Sequence, residues 1–291
     1  LVIAVRCFVA MPQQFTTAES QSFGEALLTF DPYGHQPPPP AYPAYIAAGK
    51  LVNFFVRRAL PSLLAVSVTS AIAGFVLFSI AFGRLLDAPL AGVAGAFALY
   101  VAPPVRFLCA HPSPEPLAFA LVAAALLRSP AVFLALAVGV QPQLLAGAVA
   151  MLVVMRAGWR AFAAFGIVLA ACFEPVIENI GAGRLDLYVS SIATENAPLA
   201  APLEAFVRQP WSRATLVVFA AALVGAVLCF IRRNVHALPL AAFAVAHFAY
   251  ACTFATRIES VRPFVPSLLG IAFFAAAALS WRRWKSPPSP W

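Results

Sequence analysis

A chain of 291 residues with 62% hydrophobic and 10% charged side chains and a mean hydropathy of +0.87 is no ordinary soluble domain. Such domains carry roughly 25% charged residues. The net charge of +8 does not mark a nucleic-acid surface either, because the basic residues stand singly or in pairs at the ends of apolar runs, without a basic stripe or stacking aromatics between them. The composition points to one membrane domain over residues 1–291, an all-α polytopic transmembrane helical bundle.

The chain opens with LVIAVRCFVA, apolar but interrupted by Arg6. It lacks the basic flank and small-residue cleavage site of a signal peptide. A span needs roughly 20 residues, so this stretch reads as the second half of a first transmembrane helix that starts upstream.

A polar, acidic, proline-rich outer loop follows, residues 13–62, with Glu19, Glu25, Asp31 and His35. Membrane helices are usually joined tersely, and a long ordered loop is where recognition or chemistry is expected. Glu19, just beyond the first span, is placed to act as a general base on an acceptor hydroxyl. The plain alternative is a solvated carboxylate favoured by a helix N-terminus after Thr16 and Thr17. In HQPPPPAYPAY each proline fixes φ and lacks a donor, so Pro37 to Pro40 are expected to be extended, with Tyr42 and Tyr45 as interfacial anchors. AYIAAGKLVNFFVRRAL sets Ala48, Leu51, Val52, Phe55 and Ala59 on one helical face and Lys50, Asn53 and Arg57 on another, the pattern of an amphipathic helix lying on the membrane.

Apolar runs near 63–82, 88–108, 161–177, 214–231, 237–256 and 263–281 read as spans. Three shorter runs, 116–127, 130–140 and 143–155, would cover only about 16 to 20 Å each. They are short helices, re-entrant segments, or one span divided in two. A second outer loop, 178–213, is expected to carry short surface helices, and the proline-rich tail 285–291 to be disordered. If every run crosses, Arg84, Asp87, Arg128, Arg156, Arg160, Arg232, Arg233, Arg282, Arg283 and Lys285 share one side, while the other acidic residues share the opposite side with Lys50, Arg57, Arg58, Arg208 and Arg213. The positive-inside rule then makes the basic side and the C-terminus cytoplasmic and the acidic loops extracytoplasmic, in a multi-pass inner (plasma) membrane protein.

Cys7, Cys109, Cys172, Cys229 and Cys252 lie in or beside apolar runs without metal-binding spacing and read as small buried hydrophobes. Glu115 opens a helix next to His111, as a helix-terminal charge or as a second carboxylate facing the cavity of Glu19. A divalent metal held by these carboxylates with His35 or His111 is a candidate cofactor with little pattern behind it. Gln141-Pro142-Gln143 interrupts an apolar stretch, where polar groups at membrane depth usually face a cavity. Arg257, Glu259 and Arg262 cluster before the last span, at the level of lipid phosphate. Nucleotide-binding and hydrolase signatures such as the P-loop, GxGxxG, HExxH and GxSxG are missing.

Taken in order, Glu19, FDPYGHQPPPPAYPAYIAAGKL, Ser113-Pro114-Glu115-Pro116-Leu117, Leu136 to Leu145 and Arg262-Pro263-Phe264-Val265-Pro266-Ser267-Leu268-Leu269 resemble the GT-C class of polytopic glycosyltransferases, near the protein mannosyltransferase and lipopolysaccharide core glycosyltransferase groups. Against the family pattern, Glu19 replaces an aspartate, Pro38 a histidine, Ala41 a glycine and Gln141 an arginine. The resemblance implies transfer of a hexosyl or pentosyl group from a polyprenyl-phosphate sugar to a hydroxyl of a glycan, lipid or protein. It implies Glu19 as base, Glu115 positioning the acceptor or a metal, and Arg262, Lys50, Arg57 and the Gln141 position toward donor phosphate, with His35, Tyr42 and Tyr45 on the substrate loop. The competing reading is a non-catalytic membrane protein: a lipid-linked-sugar translocase, a transporter, or a GT-C-like subunit.

Overall fold

The computed structural model describes residues 12, 14–181, 184, 213–232, 234–254 and 262–280. The expected half-span at the start, most of the second loop and the tail lie outside these residues. The described part is all-α. Its helices are α1 (Ala18–Ala26), α2 (Pro43–Val56), α3 (Ala59–Leu85), α4 (Pro89–Val101), α5 (Pro103–Ala110), α6 (Glu115–Leu127), α7 (Pro130–Val140), α8 (Leu145–Val154), α9 (Trp159–Ile180), α10 (Arg213–Ile231), α11 (Leu238–Phe254) and α12 (Leu268–Ser280). Short 3-10 turns at Pro142–Leu144, Val235–Ala237 and Arg262–Ser267 lead into α8, α11 and α12.

Proline sets most of the boundaries. It occupies the first turn of α2, α4, α5, α6 and α7, where its missing N–H costs nothing and its fixed φ suits a helix. The run expected as one span over 88–108 is instead broken between α4 and α5, which meet at 74°. Ala102, caught before Pro103, adopts φ −56 and ψ 127, because the following ring disfavours helical backbone there.

By length and composition, three helical segments among the described residues can cross a membrane: Ala59–Leu85, Trp159–Ile180 and Val235–Cys252, with the bent α4–α5 pair as a fourth. At 27 residues α3 is about 40 Å long and 44% of its most apolar window is buried, so it is the central post. Only 11% of the corresponding window of α9 is buried, so most of its apolar surface faces outward. The three short runs form separate short helices. Helices α6 and α7 make a hairpin about Arg128–Ser129, with α6 against α3 and α7 against α9 and α2. Beyond them, α8 packs on α11, and α12 packs on both α4 and α10.

The long loop is ordered by its own bonds. Asp31 and Gln36 exchange both backbone hydrogen bonds, and Asp31 Oδ1 accepts the Gly34 N–H at 3.0 Å, closing a tight turn that leaves His35 exposed at φ 62. The proline run is not the expected extended rod. The Ala41 N–H donates to the Pro38 carbonyl at 2.9 Å, and Ala41 and Tyr42 both take positive φ. A proline ring fixes φ but not ψ, which leaves room for this turn. Tyr42 and Tyr45 are not interfacial anchors either. They are 6% and 0% exposed and set edge-to-face on Phe23 at 5.3 and 5.2 Å, joining α1 to α2.

Helix α2 buries Tyr45, Ile46 and Gly49 and leaves Leu51, Phe54 and Phe55 exposed beside Lys50 and the exposed pair Arg57 and Arg58. The helix expected here is present, with one apolar face buried in the bundle and a second one exposed. Arg57, at φ 56, ends the helix, and the Ser62 hydroxyl on α3 donates to the Arg58 carbonyl at 2.7 Å and lies 3.1 Å from Asn53 Oδ1, bracing the corner.

Candidate functional site

Polar groups gather at the end of the bundle that carries the loop. The most constrained is Glu115, 2% exposed and, among the described residues, the one buried side chain of the Asp, Glu, Lys and Arg types. Pro114 already has helical φ and ψ before α6 and Pro116 lies in its first turn, which sets Glu115 at the helix start, where the partial positive charge of the helix end favours a carboxylate. Ser113 Oγ donates to Glu115 Oε2. The Ser113 N–H donates to Ser67 Oγ at 3.1 Å, and that hydroxyl donates to the Ser113 carbonyl, also at 3.1 Å. A carboxylate taken out of water needs such partners, and α3 supplies the brace for them.

A second polar group lies where α7, α8 and α11 converge. Gln141 is 1% exposed and its Oε1 has no hydrogen-bond partner among the described residues. Its backbone N–H closes α7 on the Ala137 carbonyl at 2.8 Å, and its carbonyl accepts from Leu144 at 3.0 Å. His247, fully buried on α11, sets Nδ1 3.2 Å from the Gln143 carbonyl, with its ring between Phe243 and Tyr250.

Arg262 opens the 3-10 turn that packs against α5, α11 and α12. Phe264 in that turn meets Phe248 at 5.2 Å, and Ser267 is buried with a hydroxyl that has no partner among the described residues. The turn thus reaches the helix leading to Glu115 and also the helix of His247.

The remaining sequence candidates are spread along the loop. Glu19 sits half-buried in the first turn of α1, behind a capping box in which Thr17 and Ser20 satisfy each other's backbone N–H. Helices α1 and α6 both pack on α3, so Glu19 and Glu115 share one supporting helix. Lys50 lies 5.5 Å over the Phe30 ring, and Arg57 is exposed at the far end of α2. Asn179 at the end of α9 donates to the Phe30 carbonyl at 2.8 Å, tying the loop to the bundle. His111 is used locally, stacked on Phe107 at 3.9 Å with Nδ1 2.8 Å from the Phe107 carbonyl. Among the described residues no three His, Cys, Asp or Glu side chains come together in a group able to hold a metal ion.

Sequence reading passed over Ser67 and His247, and named Ser113 and Ser267 only within longer strings, with no role of their own. A signal for the first was present: Ser67, Ser70 and Gly74 form a small-residue stripe along an otherwise apolar helix, the mark of a face in close helix contact.

The fold and these groups define a helical membrane protein with a polar, carboxylate-bearing site at one end of its bundle. Comparison with protein-family models, curated proteins and solved structures gave no match.

Proposed function

We propose that the chain is a membrane glycosyltransferase that moves a sugar from a polyprenyl-phosphate donor to an acceptor hydroxyl on the extracytoplasmic side. The observation that carries the reading is Glu115: a carboxylate buried in an apolar bundle and held by Ser113, whose backbone is in turn braced by Ser67, at the loop end. A site so placed and shielded suits acid–base or acceptor-positioning work, because low dielectric strengthens its interactions with a bound substrate. Its proline-framed segment is also one of the strings on which the GT-C resemblance rests. In this reading Glu19 takes the acceptor proton, Glu115 orients the acceptor, and Arg262 faces the departing lipid phosphate.

The test is transfer from labelled polyprenyl-phosphate sugars by the purified protein in lipid nanodiscs. Glu115→Gln and Glu19→Gln, each checked for retained thermal stability, are expected to lower transfer by about a hundredfold, the scale of a general acid–base group. Unchanged transfer in both variants overturns the site assignment.

One observation favours a second reading, that of a binding subunit without turnover. At Gln141, where the resemblance places an arginine, the structure buries an amide oxygen with no partner among the described residues. Tight binding of polyprenyl phosphate with no transfer from any sugar donor supports it.

A further inference from the structure

The end of the bundle farthest from the loop brings together connections that are distant in sequence. Helices α3 and α6 run side by side in one direction, since Ser67 meets Ser113 and Gly74 lies against the Ala120 backbone at the same offset of 46 residues. Carried to the end of α3, that offset sets Arg84 level with Pro130, beside Arg128. Helix α7 then returns toward the loop, where Gly139 packs against both Ala44 of α2 and Cys172 of α9. Counted back from that contact by helical rise, Arg128 and Arg160 lie about 16 and 18 Å away from the loop, on helices that pack together. Arg156 stands in the turn between α8 and α9, which closes with the Ala157 N–H on the Leu152 carbonyl at 3.0 Å.

Arg84, Arg128, Arg156 and Arg160 are all exposed, and Arg160 lies 5.6 Å over the Trp159 ring. Residues 84–88, 128–129 and 155–160 set one carboxylate against these four cations, that of Asp87. Trp159 is 75% and Val153 59% exposed, so an apolar shoulder adjoins the cations. We propose that this end of the bundle binds an acidic phospholipid, with its phosphate among Arg84, Arg128, Arg156 and Arg160 and its acyl chains along Trp159 and Val153.

Guanidinium groups offer paired, planar N–H donors to phosphate oxygens and keep their charge. An acidic lipid brings the net negative charge that four arginines and one aspartate leave unmet. A zwitterionic lipid also brings an ammonium, which the same arginines repel. An indole suits the boundary of headgroup and hydrocarbon, with its ring on the chains and its N–H toward polar groups. Basic residues that only direct membrane insertion have no need to meet. Here they come from three connections onto adjoining helices beside an exposed indole, which suits a retained lipid. The proposal concerns the end opposite Glu115 and does not depend on the transferase reading.

The experiment is native mass spectrometry of the delipidated full chain in detergent, titrated with phosphatidylglycerol or with phosphatidylcholine of the same acyl chains. Phosphatidylglycerol is expected to bind about tenfold more tightly, since each basic residue near an anionic headgroup is worth roughly fivefold. Replacing Arg84, Arg128, Arg156 and Arg160 together by Gln should abolish that preference, with folding checked by thermal scan. If the fourfold variant unfolds, the pair Arg128→Gln with Arg160→Gln is read instead and should lower phosphatidylglycerol affinity by about fivefold or more. The control pair Arg106→Gln with Arg213→Gln, exposed arginines of other helices, should keep the preference. Equal affinity for the two lipids overturns the proposal, as does a preference that the control pair removes to the same extent. Binding of a polyglutamate peptide in place of phosphatidylglycerol also overturns it, by making the face a protein-docking surface. No arm of the experiment requires sugar transfer, so its failure leaves the transferase reading standing.

Discussion

Ser67 and Ser113, 46 positions apart, are joined by a reciprocal pair of hydrogen bonds in which one hydroxyl serves both backbone groups of the other residue. The arrangement pins the proline-framed entry to α6 onto the central helix and thereby fixes the height of Glu115. Removing the Ser67 hydroxyl strands a buried N–H and a buried C=O. Ser67→Ala is therefore expected to cost about 1–3 kcal/mol, read as a lowered unfolding temperature in detergent. Ser67→Thr keeps the hydroxyl and is expected to retain most of the stability; equal loss in both variants contradicts the role of the bonds.

The Tyr100 hydroxyl fills the place that a Cβ on Gly74 would take, and it is buried without a hydrogen-bond partner among the described residues. Gly74→Ala is expected to destabilise the α3–α4 contact by about 1–3 kcal/mol through overpacking. Tyr100→Phe removes the obstacle together with an unsatisfied polar atom, so the double variant should regain most of the loss. A double variant no better than Gly74→Ala alone refutes the contact.

On α10, a side chain at Gly225 would run into the Phe274 carbonyl of α12, where no flexible neighbour can give way. Gly166 on α9 has open space around it. Gly225→Ala should sharply reduce the stability of the detergent-solubilised protein. Gly166→Ala should be neutral or slightly stabilising, on the scale of about 1 kcal/mol of helix propensity. The comparison is made side by side by thermal scan, and a reversed order contradicts the α10–α12 packing.

Phe54 is 75% and Phe55 74% exposed, on a helix that ends in Arg57 and is followed by Arg58. If this face rests in the headgroup region, a nitroxide replacing Phe54 should be more accessible to molecular oxygen than to an aqueous nickel complex. One replacing His35, at the tip of the tight turn, should show the opposite order. Equal aqueous access at both positions places α2 in water.

Several features were open to sequence reading because their causes are local. The length and apolarity of α3 and α9, the helix starts at prolines, the helix of 43–56 and the position of Glu115 in a first turn all follow from neighbouring residues and from backbone chemistry acting over a few positions. The break at Ala102 was also written locally, in Pro103-Pro104, yet hydropathy averaging over 88–108 hid it.

Burial and partnership were decided only by tertiary structure. Tyr42 and Tyr45 read as membrane anchors because an aromatic hydroxyl residue suits an interface, but Phe23 from another helix covers them. A proline run constrains φ and leaves ψ to the surroundings, so its turn depended on the bundle beneath it. The Ser67–Ser113 brace and the contact of Gly225 with the Phe274 backbone each join residues from distant parts of the chain. Hydropathy tells each helix that it belongs in an apolar medium, but lipid and protein are nearly equal in that respect. Which face meets which neighbour is then settled by shape and hydrogen bonding between segments, and no single segment carries that information.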